Sequence, residues 1–188
     1  MTPKKKNEKE LKQEIKIPEE ISVIIRGKEI VLKKADRELR RKLNPLLELK
    51  IEDNNIIIRS KKTSKKQRKN FGTLKAHLKN MIKGLEEDFV YELQVANVHF
   101  PMNISFDKEN REFFVKNFLG EKKDRKIKIR EGVELQIDKG VIEIRSPDIE
   151  KAGQTAADIE KGTKVRNKDR RIFQDGIFIT KKPRRNIL

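Results

Sequence analysis

Residues 140–147 of the chain read GVIEIRSP and residues 55–60 read NIIIRS, so the pattern Ile-x-Ile-Arg-Ser occurs twice. Each run follows a turn-forming stretch, Asp138-Lys139-Gly140 in one case and Asp53-Asn54-Asn55 in the other. Alternating apolar residues bounded by Asn, Asp and Gly are typical of β-hairpins, because these turn residues tolerate positive φ. The two runs therefore predict two similar hairpins.

The sequence around the two hairpins repeats in the same order. IPEEISV (17–23) aligns with FPMNISF (100–106) at a spacing of 83 residues, and KEIVLK (28–33) aligns with REFFVK (111–116) at the same spacing. The hairpins themselves lie 86 residues apart. Each block is weak alone, but three blocks in one order indicate an internal duplication.

A helix is predicted after each hairpin. In the first copy, apolar residues from Phe71 to Leu85 recur at three- and four-residue spacing, which is typical of an amphipathic helix. In the second copy, Pro147 and Asp148 precede a helix with a smaller apolar face. The 61–70 stretch, KKTSKKQRKN, is predicted to be a basic loop inserted between strand and helix in the first copy only.

Each copy is predicted to end on a strand, DFVYELQV (88–95) in the first and GIFIT (176–180) in the second. The predicted fold class is therefore α+β, with two tandem duplicated domains that each contain a small antiparallel sheet and one packed helix. The terminal segments are expected to be disordered in the free protein. The predicted boundaries are 1–14 for a basic N-terminal extension, 15–97 for the first α+β repeat, 98–181 for the second and 182–188 for a basic C-terminal tail.

Composition excludes several classes of protein. Of the 188 residues, 35% are hydrophobic and 41% are charged, so two small cores are expected rather than one large core. The chain has no Cys, which excludes disulfides, a thiol nucleophile and thiolate zinc sites. It lacks the phosphate-binding glycine loops of nucleotide-binding enzymes, and its two His have no partners at metal-ligand spacing. We expect no enzyme activity, cofactor, metal, small-molecule substrate or membrane span.

The net charge of +17 is concentrated in two stretches. Residues 59–83 contain ten Lys or Arg and no acid, and residues 161–188 contain ten against Asp169 and Asp175. Segregated positive charge is destabilised by self-repulsion unless a polyanion is present, so it indicates a nucleic-acid-binding surface. A solubilising surface would mix both signs.

Several stretches resemble the sixth protein family of the large ribosomal subunit, in its archaeal and eukaryotic branch. They are VHFPMNI (98–104), NFLGEK (117–122) and VRNKDRRIFQDGIFIT (165–180), with NMIKG (80–84) and LRRKL (39–43) in the first half. The resemblance covers about residues 17–180 and implies two tandem α+β copies. The usual Gly-Pro-x-Gly turn is replaced around Lys34–Arg37.

The resemblance also implies a function and its partners. A member of this family is a structural constituent that binds large-subunit rRNA near the sarcin-ricin region and the stalk base, next to neighbouring ribosomal proteins and to translation factors. Such a protein is cytoplasmic and ribosome-bound. Two alternatives stay open at the level of sequence: a non-ribosomal basic RNA- or DNA-binding module, and an RNA-modifying enzyme, which would need a cofactor pocket.

Candidate RNA-binding residues follow from the charge map. Arg side chains hold phosphates bidentately or stack on bases, whereas Lys supplies point charges. Asn167 is a candidate for reading a base edge or for capping a turn, and Gly153 with Gln154 is a candidate phosphate site or an ordinary helix start. The full set is Lys61, Lys62, Lys65, Lys66, Arg68, Lys69, Lys122, Lys123, Gly153, Gln154, Lys164, Arg166, Asn167, Lys168, Arg170, Arg171, Lys181, Lys182, Arg184 and Arg185.

Overall fold

The computed structural model describes residues 11–52, 54–60, 64–183 and 185–187, and the chain divides into two units after Glu87. In the first unit, two antiparallel three-stranded sheets accompany one helix, with strand orders β1-β6-β5 and β2-β3-β4. The elements are β1 (Leu11–Lys16), β2 (Ser22–Arg26), β3 (Glu29–Lys34), β4 (Arg37–Lys42), β5 (Glu48–Glu52), β6 (Asn55–Ser60) and α1 (Lys65–Glu86).

The second unit has a three-stranded sheet, a five-stranded sheet and one helix. The strand orders are β10-β9-β8 and β11-β12-β7-β13-β14, and every pairing is antiparallel. The elements are β7 (Phe89–Ala96), β8 (Asn103–Asp107), β9 (Glu112–Lys116), a 3₁₀ turn (Phe118–Gly120), β10 (Arg125–Lys128), β11 (Glu134–Asp138), β12 (Val141–Ser146), α2 (Ile149–Gly162), β13 (Gly176–Lys182) and β14 (Arg185–Asn186).

The repeated Ile-x-Ile-Arg-Ser pattern forms the central strand of both units. Ile56 and Ile58 of β6 are fully buried, and so are Ile142 and Ile144 of β12. In each strand the alternate side chains point to one face, where the helix packs. Burial of each such side chain contributes about 1.5–3 kcal/mol, so these strands carry a large share of each core. The predicted α+β fold class is confirmed.

The two hairpin turns contain the predicted Asn54 and Gly140, and Asp53 lies outside the described residues. Asn54 has φ of 64° and Gly140 has φ of 83°, both in the left-handed region that Asn and Gly tolerate. The strands of the two hairpins also pair in the same register, since Glu48 of β5 lies opposite Arg59 of β6 and Glu134 of β11 lies opposite Arg145 of β12. The 86-residue spacing read from the sequence therefore describes the structural register of this part of the duplication.

Strand β1 corresponds to β7, although the sequence analysis aligned no such block. Ile15 lies opposite Ile56, and Leu93 lies opposite the equivalent Ile142. In each unit an amide at this strand donates to the hairpin turn. In the first unit Ile17 N, just beyond β1, donates to the carbonyl oxygen of Asn54 at 2.9 Å. In the second, Val95 N, near the end of β7, donates to the carbonyl oxygen of Gly140 at 2.9 Å. Each copy therefore begins with a strand that precedes the repeat predicted from the sequence.

This equivalence changes the domain organisation. Residues 88–95 were predicted to close the first copy, but β7 pairs with β12 on one edge and β13 on the other, so it belongs to the second unit. The boundary between the units along the chain consequently falls after Glu87 and not at the predicted position of 97/98. Part of the predicted N-terminal extension is ordered as β1, and part of the predicted C-terminal tail is ordered as β14.

The sequence alignment of residues 17–23 with residues 100–106 differs from the structural equivalence by two residues. In the β2–β3 hairpin, Arg26 pairs with Glu29 around a two-residue turn, whereas Asp107 pairs with Glu112 around a four-residue turn. Val23 lies opposite Leu32, and Ile104 lies opposite Val115, which is 83 residues after Leu32. The residue equivalent to Val23 is consequently Ile104. A shift of two leaves the side chains on the same face of a strand, and therefore the alternation did not reveal it.

The helices begin at well-formed caps. Ser64 and Gln67 make a reciprocal capping box, in which the Ser64 side chain accepts from Gln67 N and the Gln67 side chain accepts from Ser64 N. In the second unit the Asp148 side chain accepts from Glu150 N at 2.9 Å. Helix α1 therefore begins at Lys65, inside the stretch that was predicted to be a loop.

Two helical glycines predict opposite effects of the same substitution. A Cβ on Gly72 meets nothing within 4 Å, whereas a Cβ on Gly162 would lie 2.6 Å from Ile127 Cδ1. Gly72→Ala should stabilise the first unit by about 1 kcal/mol through helix propensity. Gly162→Ala should destabilise the second by about 1–3 kcal/mol through overpacking against the buried Ile127.

Urea unfolding monitored by circular dichroism follows both units. Tyr91, the only Tyr in a chain without Trp, lies on β7, so its fluorescence reports the second unit alone. Equal shifts of the same sign for the two variants would contradict the packing described at Gly162.

Candidate nucleic-acid interface

The first turns of α1 carry a cluster of exposed cations. Lys65, Lys66, Arg68 and Lys69 are solvent-exposed, and the first turn contains no acidic side chain. None of these four forms an ion pair with another residue in the described parts of the chain. The N-terminus of a helix carries a partial positive charge, so this arrangement is unfavourable in the free protein and favourable next to an anion. Lys61 and Lys62 lie outside the described residues.

The start of α2 has the opposite character. Asp148 caps it and Glu150 lies in its first turn, so the helix end is already neutralised. Gly153 and Gln154 were predicted to lie at this helix start, but they lie in the second turn, where their amides are used in the helix ladder. The Gln154 amide group also donates to Asp158 at 2.8 Å. The predicted position of Gly153 and Gln154 at the helix start is therefore wrong.

The residues 164–171, called here the basic segment, are anchored at their start by Arg125. Its Nη1 donates to the carbonyl oxygens of Gly162 at 2.9 Å and Lys164 at 3.2 Å. Its Nε and Nη2 donate to the Glu121 carboxylate, and its guanidinium lies 3.8 Å from the ring centre of Phe118. One side chain therefore joins β10, the 3₁₀ turn and the end of α2.

Four residues beyond the basic segment, a buried carboxylate anchors the chain. Asp175 is 1% exposed and accepts from His99 N at 2.9 Å, from the His99 ring Nδ1 at 2.6 Å and from Phe100 N at 3.5 Å. Burial raises the pKa of the Asp175 carboxyl, but these hydrogen bonds and the His99 charge outweigh it, so the net pKa is lowered. The His99 ring also lies 5.0 Å from the ring of Phe173.

Within the basic segment, the cations differ in how far they are already paired. Arg171 Nη2 lies 2.9 Å from the Asp169 carboxylate, which also accepts from Arg171 N. Lys168 Nζ lies 4.5 Å from the ring centre of Phe173. Arg166 and Arg170 are exposed and have no ion-pair partner among the residues that the structure describes. Arg166 and Arg170 are therefore the most available for an external anion.

Asn167 occupies a turn. Its φ is 57°, the left-handed conformation that Asn adopts more readily than most residues. This favours the turn role over the base-reading role, but an exposed amide in a turn remains available to a ligand.

Two grooves flank the basic segment. The first has a volume of about 770 Å³ and combines Arg170 and Arg171 with the rings of Phe173 and Phe178. The second, about 630 Å³, combines Arg166 and Lys168 with the 119–127 region. Basic side chains next to aromatic rings suit single-stranded or looped RNA, because bases stack on the rings while phosphates bind the cations. Phe178 is 38% exposed and lines the first groove.

The remaining predicted residues lie around this surface or on the closing strands. Lys122 and Lys123 are exposed in the loop after the 3₁₀ turn, next to Glu121, whose pKa is lowered first by its hydrogen bond to Arg125 and further by Lys168 and Arg166. Lys181 and Lys182 end β13, and Lys181 Nζ lies 2.5 Å from the Glu92 carboxylate. Arg185 is exposed on β14, and Arg184 lies outside the described residues.

Sequence analysis missed a row of cations on and beyond β10. Lys126 and Lys128 are exposed, as is Arg130 just after the strand, and Lys126 Nζ lies 5.1 Å from the ring centre of Phe114. The signal was present in KIKIR (126–130), where cations alternate with apolar residues. It was overlooked because acidic residues before and after it cancel the local net charge.

No group of three or more His, Asp or Glu among the described residues is arranged to hold a metal ion. No helix in the same part of the chain is long and apolar enough to cross a bilayer.

Comparison with known proteins agrees with this architecture. A sequence model of the family described as ribosomal protein L6 matches residues 17–88 and again residues 100–176, one match in each half. Large ribosomal subunit protein uL6 of Methanococcus vannielii is 40% identical over 173 residues, which cover 92% of this chain and 94% of the relative. The uL6 proteins of Natronomonas pharaonis and Methanothrix thermoacetophila are 36% and 40% identical, over 93% and 92% of this chain and 98% of each relative.

The fold and the surface together define a tandemly duplicated α+β protein with segregated cations of the nucleic-acid-binding type. Both halves match one family and the relatives match over nearly their whole length, so the chain belongs to the ribosomal protein L6 family, that of the large-subunit protein uL6. The resemblance and the internal duplication predicted from the sequence are confirmed.

The Asp175 anchor predicts a pH-dependent stability. Because its pKa is lowered on folding, Asp175 contributes stability that is present above the ordinary value of 3.8 and is lost as the pH falls through the lower folded value. Asp175→Asn should destabilise the second unit by about 2 kcal/mol at pH 7, because the donors on His99 and Phe100 lose a buried, charged acceptor. The difference from wild type should narrow below pH 3.8.

The measurement is the urea midpoint of Tyr91 fluorescence as a function of pH. Asp138→Asn, which changes an exposed carboxylate on β11, is the control and should have little effect at any pH. A constant difference between Asp175→Asn and wild type, persisting well below pH 3.8, would contradict the assignment.

The cations on α1 predict a conflict between stability and binding. The double substitution Lys65→Glu and Lys66→Glu places acids at the positive end of the helix dipole. In the protein without RNA, the melting temperature of the first unit should therefore rise on the order of 4 °C. Lys79→Glu with Lys83→Glu, near the other end of α1, is the matched control and should lower it. If both pairs shift the melting temperature in the same direction, the dipole argument at this helix end fails.

Proposed function

We propose that this protein is a structural constituent of the large ribosomal subunit, bound in the cytoplasm to large-subunit rRNA near the sarcin-ricin region and the stalk base. Family membership supports the ribosomal role. The proposed location and the proximity of translation factors rest on the resemblance. Neighbouring ribosomal proteins are proposed to pack on surfaces that the RNA leaves free.

One observation carries the choice of RNA-binding surface. The chain is fixed on both sides of the basic segment, by Arg125 at Lys164 and by the Asp175–His99 pair four residues after Arg171. A loop of cations fixed in this way presents its charges at set spacings, which reduces the entropic cost of ordering the loop on binding. The proposed RNA-binding residues of the second unit are Lys122, Lys123, Lys164, Arg166, Asn167, Lys168, Arg170, Arg171, Lys181, Lys182, Arg184 and Arg185.

The first unit is proposed to contribute a second, separate RNA-binding surface. At the start of α1, the exposed Lys65, Lys66, Arg68 and Lys69 have no ion-pair partner among the described residues and lie at the positive end of the helix dipole, so a phosphate would relieve the repulsion between them. The counterpart α2 lacks this property because of Asp148 and Glu150. The duplicated scaffold therefore offers RNA a helix end in one copy and a fixed loop in the other. The proposed residues are Lys61, Lys62, Lys65, Lys66, Arg68 and Lys69.

Neutralising the basic segment should change the salt dependence of RNA binding. We expect Arg166→Gln, Arg170→Gln and Arg171→Gln together to weaken binding. The slope of log K against log salt should fall by roughly 0.7–0.9 for each phosphate that the variant no longer neutralises. Arg171 is paired with Asp169, so Arg166 and Arg170 should account for most of the change.

The assay uses transcripts of the sarcin-ricin hairpin and the stalk-base helices, with an rRNA fragment from another part of the large subunit as the RNA control. The protein control is Lys108→Gln, Lys139→Gln and Lys151→Gln, which removes the same charge from exposed positions outside the basic segment. Equal slopes for the two triple variants would exclude the basic segment as the phosphate-binding surface. Equal affinity of the protein for all RNA fragments would contradict the proposed location near the sarcin-ricin region and the stalk base. It would not contradict the assignment of the basic segment as the RNA-binding surface.

A further inference from the structure

The duplication leaves one strand edge of the first unit without a partner. In the second unit, β7 pairs with β12 on one edge and β13 on the other. In the first unit, β1 pairs with β6 on the corresponding edge, and no described strand pairs with its other edge. Among the described residues of the first unit, the position that β13 fills in the second copy is therefore open.

The direction of the backbone groups on this edge can be assigned. Ile17 N donates to Asn54, toward β6, and in a strand successive residues alternate in hydrogen-bonding direction. The amides of Lys12, Glu14 and Lys16 therefore point away from β6. All three residues are exposed. An exposed strand edge of this kind is a template for an added strand.

The side chains near the edge define the partner. In the second unit β13 places Ile177, fully buried, against α2, and leaves Phe178 outward. In the first unit, Lys75 of α1 reaches over β1 to donate to Gln13 at 2.9 Å, and Phe71, one turn earlier on the same helix face, is only partly buried. An added strand would therefore place apolar side chains beside Phe71.

The charge of the edge favours an acidic partner. The Glu14 carboxylate is already paired with Lys12 at 2.7 Å, whereas Lys16 forms no ion pair with any described residue. Lys75 and the cations of α1 add to the positive potential. A second copy of this chain would bring its own β1, LKQEIK, which carries more Lys than Glu and adds further positive charge.

We propose that the β1 edge of the first unit is a docking site for one extended segment of another protein, in which a short apolar run is flanked by acidic residues. The segment adds to β1 antiparallel, in the position that β13 occupies in the second unit. This surface goes beyond the proposed RNA-binding role, since it uses backbone groups of β1 and not the basic segment.

The test uses the full-length protein and a synthetic peptide with the sequence of residues 176–180, Gly-Ile-Phe-Ile-Thr, flanked by glutamates. Amide hydrogen exchange is measured by NMR. With the peptide at about ten times its Kd, exchange at Lys12, Glu14 and Lys16 should slow about tenfold, because exchange then requires the free state. Unchanged exchange at these three amides would overturn the proposal.

Two N-methylated peptides form a matched pair. In β13, Ile179 N donates to Glu160 and so points away from β7, whereas the Phe178 amide points toward β7. N-methylation at the Phe position should therefore abolish binding, and N-methylation at the second Ile should preserve it. Equal binding of both peptides would show that no strand is added.

A charge variant tests the partner chemistry without altering the backbone. Lys16→Glu should weaken binding of the acidic peptide about threefold, and Lys50→Glu on β5, at the opposite edge of the same sheet, should not. Sedimentation equilibrium of the protein alone provides the remaining control. A dimer that protects the same β1 amides without peptide would overturn the choice of partner in favour of a second copy.

Discussion

The structure of each unit depends on one strand that pairs on both edges and packs alternate Ile side chains against the helix. That strand is β6 in the first unit and β12 in the second, and each has two fully buried Ile. A slip of one residue would turn those Ile away from the helix, so the register is fixed by burial. The Ser that ends each strand, Ser60 or Ser146, is also buried, and the connection to the helix begins there. The hairpin on one edge, the opening strand on the other and the helix on the buried face all follow from this register.

Much of the fold was predictable because it is encoded locally. Turn residues and alternation identified the hairpins, and three-four spacing identified the helices. The assignment of β7 failed for a physical reason: alternation predicts a strand but not its partners, and a strand that lies between two copies can pair with either. Strand β1 was missed because LKQEIK has only two apolar residues among four polar or charged ones. Its place becomes evident only when Ile15 is seen opposite Ile56.

The candidate interface divides in the same way. Its cations were visible in the sequence because charge is a property of composition, and the residues from Arg166 to Arg171 lie together on one exposed segment. What holds that segment was not visible, since Arg125 contacts Lys164 and His99 contacts Asp175 across long stretches of chain. The prediction that Gly153 and Gln154 lie at the helix start failed because α2 begins at Ile149, directly after Asp148, so both residues lie beyond its first turn. Duplication thus provided two similar scaffolds, and later differences in capping and charge gave them different surfaces.

The most direct test of the RNA-binding surface is a cryo-EM map of large ribosomal subunits that carry this protein. We predict that Arg166 and Arg170 lie within hydrogen-bonding distance of rRNA phosphates, with the basic segment in the conformation set by Arg125 and Asp175. We also predict phosphate density at the start of α1. A map in which the basic segment faces solvent, or contacts only protein, would contradict the central claim that this segment is the RNA-binding surface of the second unit.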